Sequence, residues 1–122
     1  MARILVVDDE ADVREFTKSF FAKRKVEVQV ASNGREALEK TKADKFDLVL
    51  LDVRMEDMTG TDVLKNLREQ GNDVRVIMVT AVEDEEVINE ANSWGIVGYI
   101  HKPLVLDEME RIVMGELDVR HI

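Results

Sequence analysis

Acidic side chains come directly after two short apolar runs of this sequence. Asp52 ends the run 48–51, and Asp8 and Asp9 follow the run 4–7. Apolar runs of this length without a charge are typical of strands that are buried on both faces of a parallel sheet. Open α/β sheets bind their ligands in the crevice beyond the carboxyl ends of the strands. The sequence therefore predicts that these three carboxylates lie together at one edge of a sheet.

Two further polar side chains follow later apolar runs. Thr80 comes after the run 74–79, and Lys102 comes shortly after the run 97–100. Crowded carboxylates repel one another, so at least one of them has a raised pKa unless a cation neutralises the group. Oxygen ligands with water suit Mg²⁺, and no histidine or cysteine pattern favours zinc. We therefore predict a magnesium site in which Lys102 stands opposite the carboxylates.

A divalent ion and an ammonium group on opposite sides of a carboxylate suit phosphoryl transfer, whose transition state spreads charge over three oxygens. Carboxylates can act as nucleophiles and form aspartyl-phosphates. We predict Asp52 as the nucleophile, with the hydroxyl of Thr80 binding the transferred group.

Helical patterns fill the segments between the apolar runs. Five strands that alternate with five helices predict one α/β domain over residues 1–122, with a doubly wound parallel sheet. The strand 26–31 alternates apolar and polar residues, which favours a position at the edge of the sheet. The strands are predicted at 4–7, 26–31, 48–51, 74–79 and 97–100, and the helices at 11–25, 35–43, 61–70, 83–93 and 104–117. The apolar residues predicted to pack inward are Val13, Phe16 and Phe20 in the first helix, with Phe21 beside them, and Leu106, Met109, Ile112 and Val113 in the last.

Composition narrows the function classes. The chain has 122 residues and no cysteine, which excludes disulfides, thiolate metal sites and thiol nucleophiles. With 26 acidic and 17 basic residues its net charge is −9, which opposes binding to nucleic acid and to anionic lipid. No apolar run is long enough for a signal peptide core or a membrane span. We expect a cytoplasmic protein that contacts neither nucleic acid nor membrane.

Five short motifs follow one another along the chain. They are VVDDE at 6–10, LLDVRM at 50–55, MTG at 58–60, VTA at 79–81 and YIHKP at 99–103. Their order and spacing resemble the receiver domain of two-component response regulators along essentially the whole length. The resemblance implies a flavodoxin-like, CheY-like fold with the strand order 2-1-3-4-5.

The resemblance also implies residue roles around a metal ion. Asp52 would be the phosphoacceptor, and the acidic pair Asp8 and Asp9 would hold Mg²⁺. Asp52 itself and the backbone carbonyl of Arg54 would be further ligands. The phosphoryl donor would be a histidine kinase or a histidine phosphotransfer protein. Such a domain is not an enzyme that acts on a separate substrate, although it promotes its own phosphorylation and dephosphorylation.

A switch is the second implication of the resemblance. Thr80 and Lys102 would contact the phosphoryl group, Tyr99 would be the switch aromatic residue, and the peptide bond between Lys102 and Pro103 would be cis. The surface of helix four, strand five and helix five would then change its contacts with an unknown downstream protein or with a second copy of the chain in a phosphorylation-dependent homodimer.

Three alternatives come from other function classes. A flavodoxin-type cofactor binder needs small and hydroxyl residues after strand one, where the acidic residues 8–10 would repel a phosphate. A phosphatase with an aspartate nucleophile usually needs an acid/base aspartate two residues later, where this chain has Arg54. A receiver-like interaction module that works without phosphorylation stays open. Glu56 and Asp57 add negative charge after Asp52, which we expect to favour a metal and oppose a phosphoryl dianion.

Overall fold

The computed structural model describes residues 1–81 and 85–120, which form a parallel sheet with helices on both faces. All four strand pairs are parallel, and the sheet has the predicted strand order 2-1-3-4-5. The strands are β1 (Arg3–Val7), β2 (Glu27–Ala31), β3 (Leu48–Asp52), β4 (Val76–Thr80) and β5 (Gly98–His101). The helices are α1 (Ala11–Ala22), α2 (Gly34–Ala43), α3 (Gly60–Glu69), α4 (Glu85–Ser93) and α5 (Leu106–Arg120).

Two hydrophobic cores lie on opposite faces of the sheet. Successive side chains of a strand point to opposite faces, so Val49 and Leu51 of β3 pack toward α2, α3 and α4. Leu48 and Leu50 pack toward α1 and α5. All five residues of β3 are buried, which explains why this central strand reads as a continuous apolar run.

The strand β2 lies at one edge of the sheet, as its alternating pattern predicts. It pairs only with β1 among the described strands, and its residues are mostly half-buried. The partial exposure of an edge strand accounts for the polar residues Glu27 and Gln29 within it.

The inward face of α1 differs from the prediction. Phe21 and Thr17 are buried, whereas Phe16 is 45% exposed. With 3.6 residues per turn, Phe16 lies about 100° around the helix from Thr17, outside the stripe that faces the sheet. Thr17 is tolerated there because its hydroxyl donates a hydrogen bond to the carbonyl of Val13 at 2.7 Å. Three phenylalanines offer two similar apolar faces, and the packing onto the sheet selects the one with Phe21.

The inward face of α5 begins one turn later than predicted. Leu106 is the first residue of the helix and is 43% exposed. Met109, Val113 and Leu117 are buried, and their spacing of four residues forms one narrow stripe that does not include Leu106. The predicted start of α4 at Glu83 lies outside the described residues. Within the part of the chain that the structure describes, no helix is long and apolar enough to cross a membrane.

Candidate functional site

The carboxyl ends of the two central strands bring two buried carboxylates together. Asp52 is the last residue of β3, and Asp8 follows β1, which pairs with β3 in parallel up to Val7 and Leu51. Asp8 is 2% exposed and Asp52 is 4% exposed. Two acidic side chains so far from solvent are costly unless a cation or hydrogen bonds compensate them.

Lys102 supplies the compensating charge. Its Nζ donates to Oδ2 of Asp8 at 3.1 Å and to Oδ2 of Asp52 at 3.3 Å. Its backbone N–H donates to the carbonyl of Thr80 at 2.7 Å, which holds the lysine beside the end of β4. The ammonium group therefore bridges two carboxylates that come from different strands.

The charge of Asp52 is finely balanced. Burial raises the pKa of its carboxyl most, and the negative charge of Asp8 raises it further, whereas Lys102 lowers it. The resulting pKa is about 6, compared with an ordinary value of 3.8. Burial works to lower the pKa of Lys102, but Asp52 and Asp8 outweigh it and the pKa is raised. One carboxyl of the crowded group thus has a raised pKa, but burial contributes more to the rise than the predicted repulsion between carboxylates.

Three acidic residues, one of them Asp8, cluster at the same edge of the sheet. Carboxylate oxygens of Asp8, Asp9 and Glu10 all lie within 4.8 Å of one another, and Asp9 and Glu10 are exposed. The loop is held from both sides, because the N–H of Glu10 donates to Oδ1 of Asp8 at 2.9 Å and Nη1 of Arg14 donates to the Asp8 carbonyl at 2.8 Å. A set of oxygen donors open to water on one side has the chemistry that Mg²⁺ prefers.

Glu10 is a member of this cluster that the sequence reasoning missed. The signal was present, since Glu10 is the third acidic residue in a row after β1. Glu10 is the N-cap residue of α1, where its side chain makes no capping hydrogen bond and lies beside the two aspartates.

The loop after β3 approaches Asp52 closely. The N–H of Arg54 donates to Oδ1 of Asp52 at 3.4 Å. Arg54, whose backbone carbonyl is the predicted metal ligand, is therefore hydrogen-bonded to Asp52. A Cβ atom on Gly60 would lie 2.2 Å from the carbonyl oxygen of Asp52, so only glycine fits where the loop returns to start α3.

Thr80 and Tyr99 lie on the neighbouring strands. Thr80 is buried at the end of β4, one residue beyond the register partner of Asp52. Tyr99 is 42% exposed, and its ring forms a T-shaped pair with the ring of His101 at a centroid distance of 5.3 Å. The peptide bond between Lys102 and Pro103 is cis.

Asp57 does not point toward the carboxylates. Its oxygens accept hydrogen bonds from the N–H groups of Gly34 and Arg35 at 3.0 Å each, and from its neighbour Met58 at 2.9 Å. The negative charge that was expected to act on the metal and the phosphoryl group is therefore turned to the first residues of α2. The structure brings Asp8, Asp9, Asp52 and Lys102 to one edge and directs Asp57 elsewhere.

Known proteins similar to this chain cover almost all of it. The regulatory protein AtoC of Escherichia coli (strain K12) is 39% identical over 118 residues, which are 97% of this chain and 26% of AtoC. The sporulation initiation phosphotransferase F of Bacillus subtilis (strain 168) is 31% identical over 118 residues, which are 97% of this chain and 95% of that protein. The chain thus spans about a quarter of one relative and nearly the whole of the other.

A solved structure shares the fold. The response regulator TrrA from Thermotoga maritima, in complex with Mg²⁺ and BeF, superposes with a TM-score of 0.84 at 34% identity, over 95% of this chain and 99% of TrrA. The family model described as the response regulator receiver domain matches residues 4–114, which include both aspartate-bearing strand ends and Lys102. The chain therefore belongs to the response regulator receiver domain family.

Proposed function

We propose that this chain accepts a phosphoryl group on Asp52 from a phosphohistidine protein in a reaction that needs Mg²⁺. The observation that carries the proposal is the buried pair Asp8 and Asp52 with Lys102 bonded to both. Receiver domains bind Mg²⁺ at an acidic pocket, and one relative in the family was solved with Mg²⁺ and BeF. The acidic cluster of residues 8–10 has the donor atoms for that ion.

The residues of the site divide the chemistry between them. Asp8 and Asp9 would hold the ion, with Asp52 and the backbone carbonyl of Arg54 as further ligands, and the bound ion would neutralise oxygens of the transferred group. An oxygen of Asp52 forms the new bond to phosphorus as the bond from phosphorus to the histidine nitrogen breaks, and the imidazole leaves with the electron pair. Lys102 exchanges its contact with Asp52 for one with a phosphoryl oxygen.

Ionisation of Asp52 matters for this step, because only the carboxylate is a nucleophile. A pKa of about 6 leaves most of the metal-free protein ionised at pH 7. The same burial that raises the pKa keeps water away from the acceptor oxygen. The chain acts on its own side chain and not on a separate substrate, so we do not class it as an enzyme.

We further propose that Thr80 and Tyr99 transmit phosphorylation to a surface. The phosphoryl group would offer Thr80 a charged acceptor, and the exposed ring of Tyr99 would turn inward as Thr80 moves. Tyr99 lies opposite Met78, on the α4 side of the sheet. Val97, Val105 and Leu106 are exposed apolar residues flanking β5, which supports a contact surface formed by α4, β5 and α5.

The partners follow from the family. Receiver domains of response regulators interact with histidine kinases or phosphotransfer proteins. For this chain we propose such a donor in the cytoplasm, and a downstream protein or a second copy on the surface of α4, β5 and α5. An interaction module that works without phosphorylation is the second candidate, and the exposed apolar residues around β5 favour it equally.

Incubation with acetyl phosphate and Mg²⁺ tests the proposal. Intact mass should show the gain of one phosphoryl group, peptide mapping should place it on Asp52, and EDTA should prevent it. Asp52→Asn should gain nothing, whereas Glu56→Gln, which removes an exposed charge from the same loop, should be modified like the wild type. Beryllofluoride should change the fluorescence of Trp94, which directly follows α4 and packs against the hydrophobic core, and light scattering of that sample tests the dimer.

The two candidate functions give different results. A wild type that gains no phosphoryl group, or gains it at another side chain, would rule out the acceptor role and leave the interaction module. A modified Asp52 with unchanged Trp94 fluorescence and unchanged mass in solution would retain the acceptor and refute the switch on α4, β5 and α5.

A further inference from the structure

The loop that carries Arg54 is attached to the rest of the molecule at several points. The ends of the loop are held by two backbone hydrogen bonds. The N–H of Val53 donates to the carbonyl of Val79 at 3.0 Å, and the N–H of Gly60 donates to the carbonyl of Val53 at 2.8 Å. Between these ends Arg54 is exposed, its N–H bonds back to Asp52, and the neighbouring Met55 packs against the hydrophobic core. The position of the Arg54 carbonyl therefore depends on these contacts and on what holds the rest of the loop.

Asp57 holds the middle of this loop to another element. Its two carboxylate oxygens each accept an N–H from the first two residues of α2, Gly34 and Arg35, 23 and 22 residues earlier in the chain. These N–H groups have no partner within the helix, and the positive end of the helix dipole favours a negative charge there. Burial works to raise the pKa of the Asp57 carboxyl, but these N–H donors and that of Met58 outweigh it and the pKa is lowered.

A packing contact between Met58 and Gly34 also joins the loop to the start of α2. A Cβ atom on Gly34 would lie 2.3 Å from Cγ of Met58, so the Met58 side chain occupies the space that the missing side chain leaves. Asp57 and Met58 together join the loop to the start of α2 by two charge-assisted hydrogen bonds and one close packing contact.

We propose that Asp57 is a positioning residue for the metal site: by binding the start of α2 it sets the place of the loop and of the Arg54 carbonyl, and so the affinity for Mg²⁺. The inference rests on the metal site of the proposed function. It assigns Asp57, the second acidic residue of this loop, a role that is structural in its contacts and functional in its effect, since a ligand that is held in place binds with less loss of entropy.

Glu56, the residue before Asp57, offers a matched control. Its side chain is exposed, and no hydrogen bond or ion pair of this carboxylate is found among the described residues. Glu56→Ala and Asp57→Ala each remove one negative charge from adjacent positions of the loop, but only the second releases α2. A difference between the two variants therefore measures the attachment and not the charge.

Calorimetric titration with Mg²⁺ tests the inference on the full chain. We expect Asp57→Ala to weaken Mg²⁺ binding by about fivefold, below the roughly 10–100-fold typical for partners bonded directly to a metal ligand. Glu56→Ala should stay within about twofold of the wild type, since exposed charges are screened. Asp57→Asn keeps one acceptor oxygen and should fall between them. The Mg²⁺ concentration for half-maximal phosphorylation by acetyl phosphate should shift by the same factors.

Gly34→Ala tests the attachment from the other side, because the added methyl group would displace Met58 as well as the buried Val63 of α3, and it should also weaken Mg²⁺ binding. Equal effects of Asp57→Ala and Glu56→Ala, or an Asp57→Ala variant that binds Mg²⁺ like the wild type, would overturn the positioning role. A wild type that binds Mg²⁺ but gains no phosphoryl group would overturn the proposed function alone. A wild type without Mg²⁺ affinity would overturn both.

Discussion

Two acidic loops meet at the edge of the sheet, and they use their carboxylates in opposite ways. After β1, the side chains of Asp8, Asp9 and Glu10 converge, with all three carboxylates within 4.8 Å. At the end of β3, Asp52 faces the same place, but Asp57 in the loop that follows turns away to the start of α2. The first loop concentrates negative charge, whereas the second separates it.

The helices that follow these loops show the same difference. The N-cap residue of α1 is Glu10, whose side chain makes no capping bond. The N-cap residue of α3 is Thr59, which forms a capping box with Asp62. In the first loop the exposed carboxylates of Asp9 and Glu10 stay available for a cation, and in the second the carboxylate of Asp57 satisfies backbone N–H groups. The number of acidic residues in a loop therefore says little about the charge that a ligand meets there.

The largest effect we expect from this difference is an opposite pH dependence of Asp52 and Asp57 in metal-free protein. The folded pKa of Asp52 is raised from 3.8 to about 6, so the folded state binds the extra proton and stability falls as the pH rises between these values. Two units of pKa correspond to about 3 kcal/mol. The stability of Asp52→Asn relative to wild type should rise by about 3 kcal/mol from pH 3 to pH 7, measured by urea unfolding in EDTA.

Asp57→Asn is the control of opposite sign. Because the folded pKa of Asp57 is lowered, its contribution to stability is present above the ordinary value of 3.8 and is lost as the pH falls below it. The variant should be less stable than the wild type at neutral pH, and the gap should close in acid. The same pH trend for both variants would contradict the contrast between the loops.

A middle-sized effect should come from Mg²⁺ itself. Binding to the folded state alone stabilises a protein by about 2.7 kcal/mol when the free ligand is at one hundred times its Kd. Asp9→Asn removes an exposed carboxylate of the convergent cluster and should abolish most of this gain in urea unfolding. Glu56→Gln, from the separated loop, should retain it, and an Asp9→Asn variant that Mg²⁺ still stabilises fully would refute the metal site.

The smallest effect concerns helix capping. Thr59→Ala breaks the capping box of α3 and should cost about 1 kcal/mol of unfolding free energy. Glu10→Ala removes no cap and relieves repulsion in the cluster, so metal-free stability should stay within about 0.5 kcal/mol of wild type or rise slightly. Thermal unfolding of both variants in EDTA checks that Thr59→Ala loses more stability than Glu10→Ala. A larger loss for Glu10→Ala would show that its carboxylate supports α1 after all.

The fold was predictable because the burial of each strand is reflected in the residue types along that strand. The apolar run 48–51 alone predicts a central strand ending in Asp52, and the alternation in 26–31 alone predicts an edge strand. The choice of inward face was not predictable for α1, where Phe16 and Phe21 are equally apolar and only the packing onto the sheet separates them.

For the site, local sequence determined which groups come to the edge of the sheet, since each follows its own strand. Only the tertiary structure decided which of them touch. Lys102 reaches Asp8 across 94 residues, and Asp57 finds the N–H groups of α2 and not the other carboxylates. The physical reason is that a carboxylate is directed by the donors within its reach, and those donors belong to elements whose relative placement no single stretch of sequence contains.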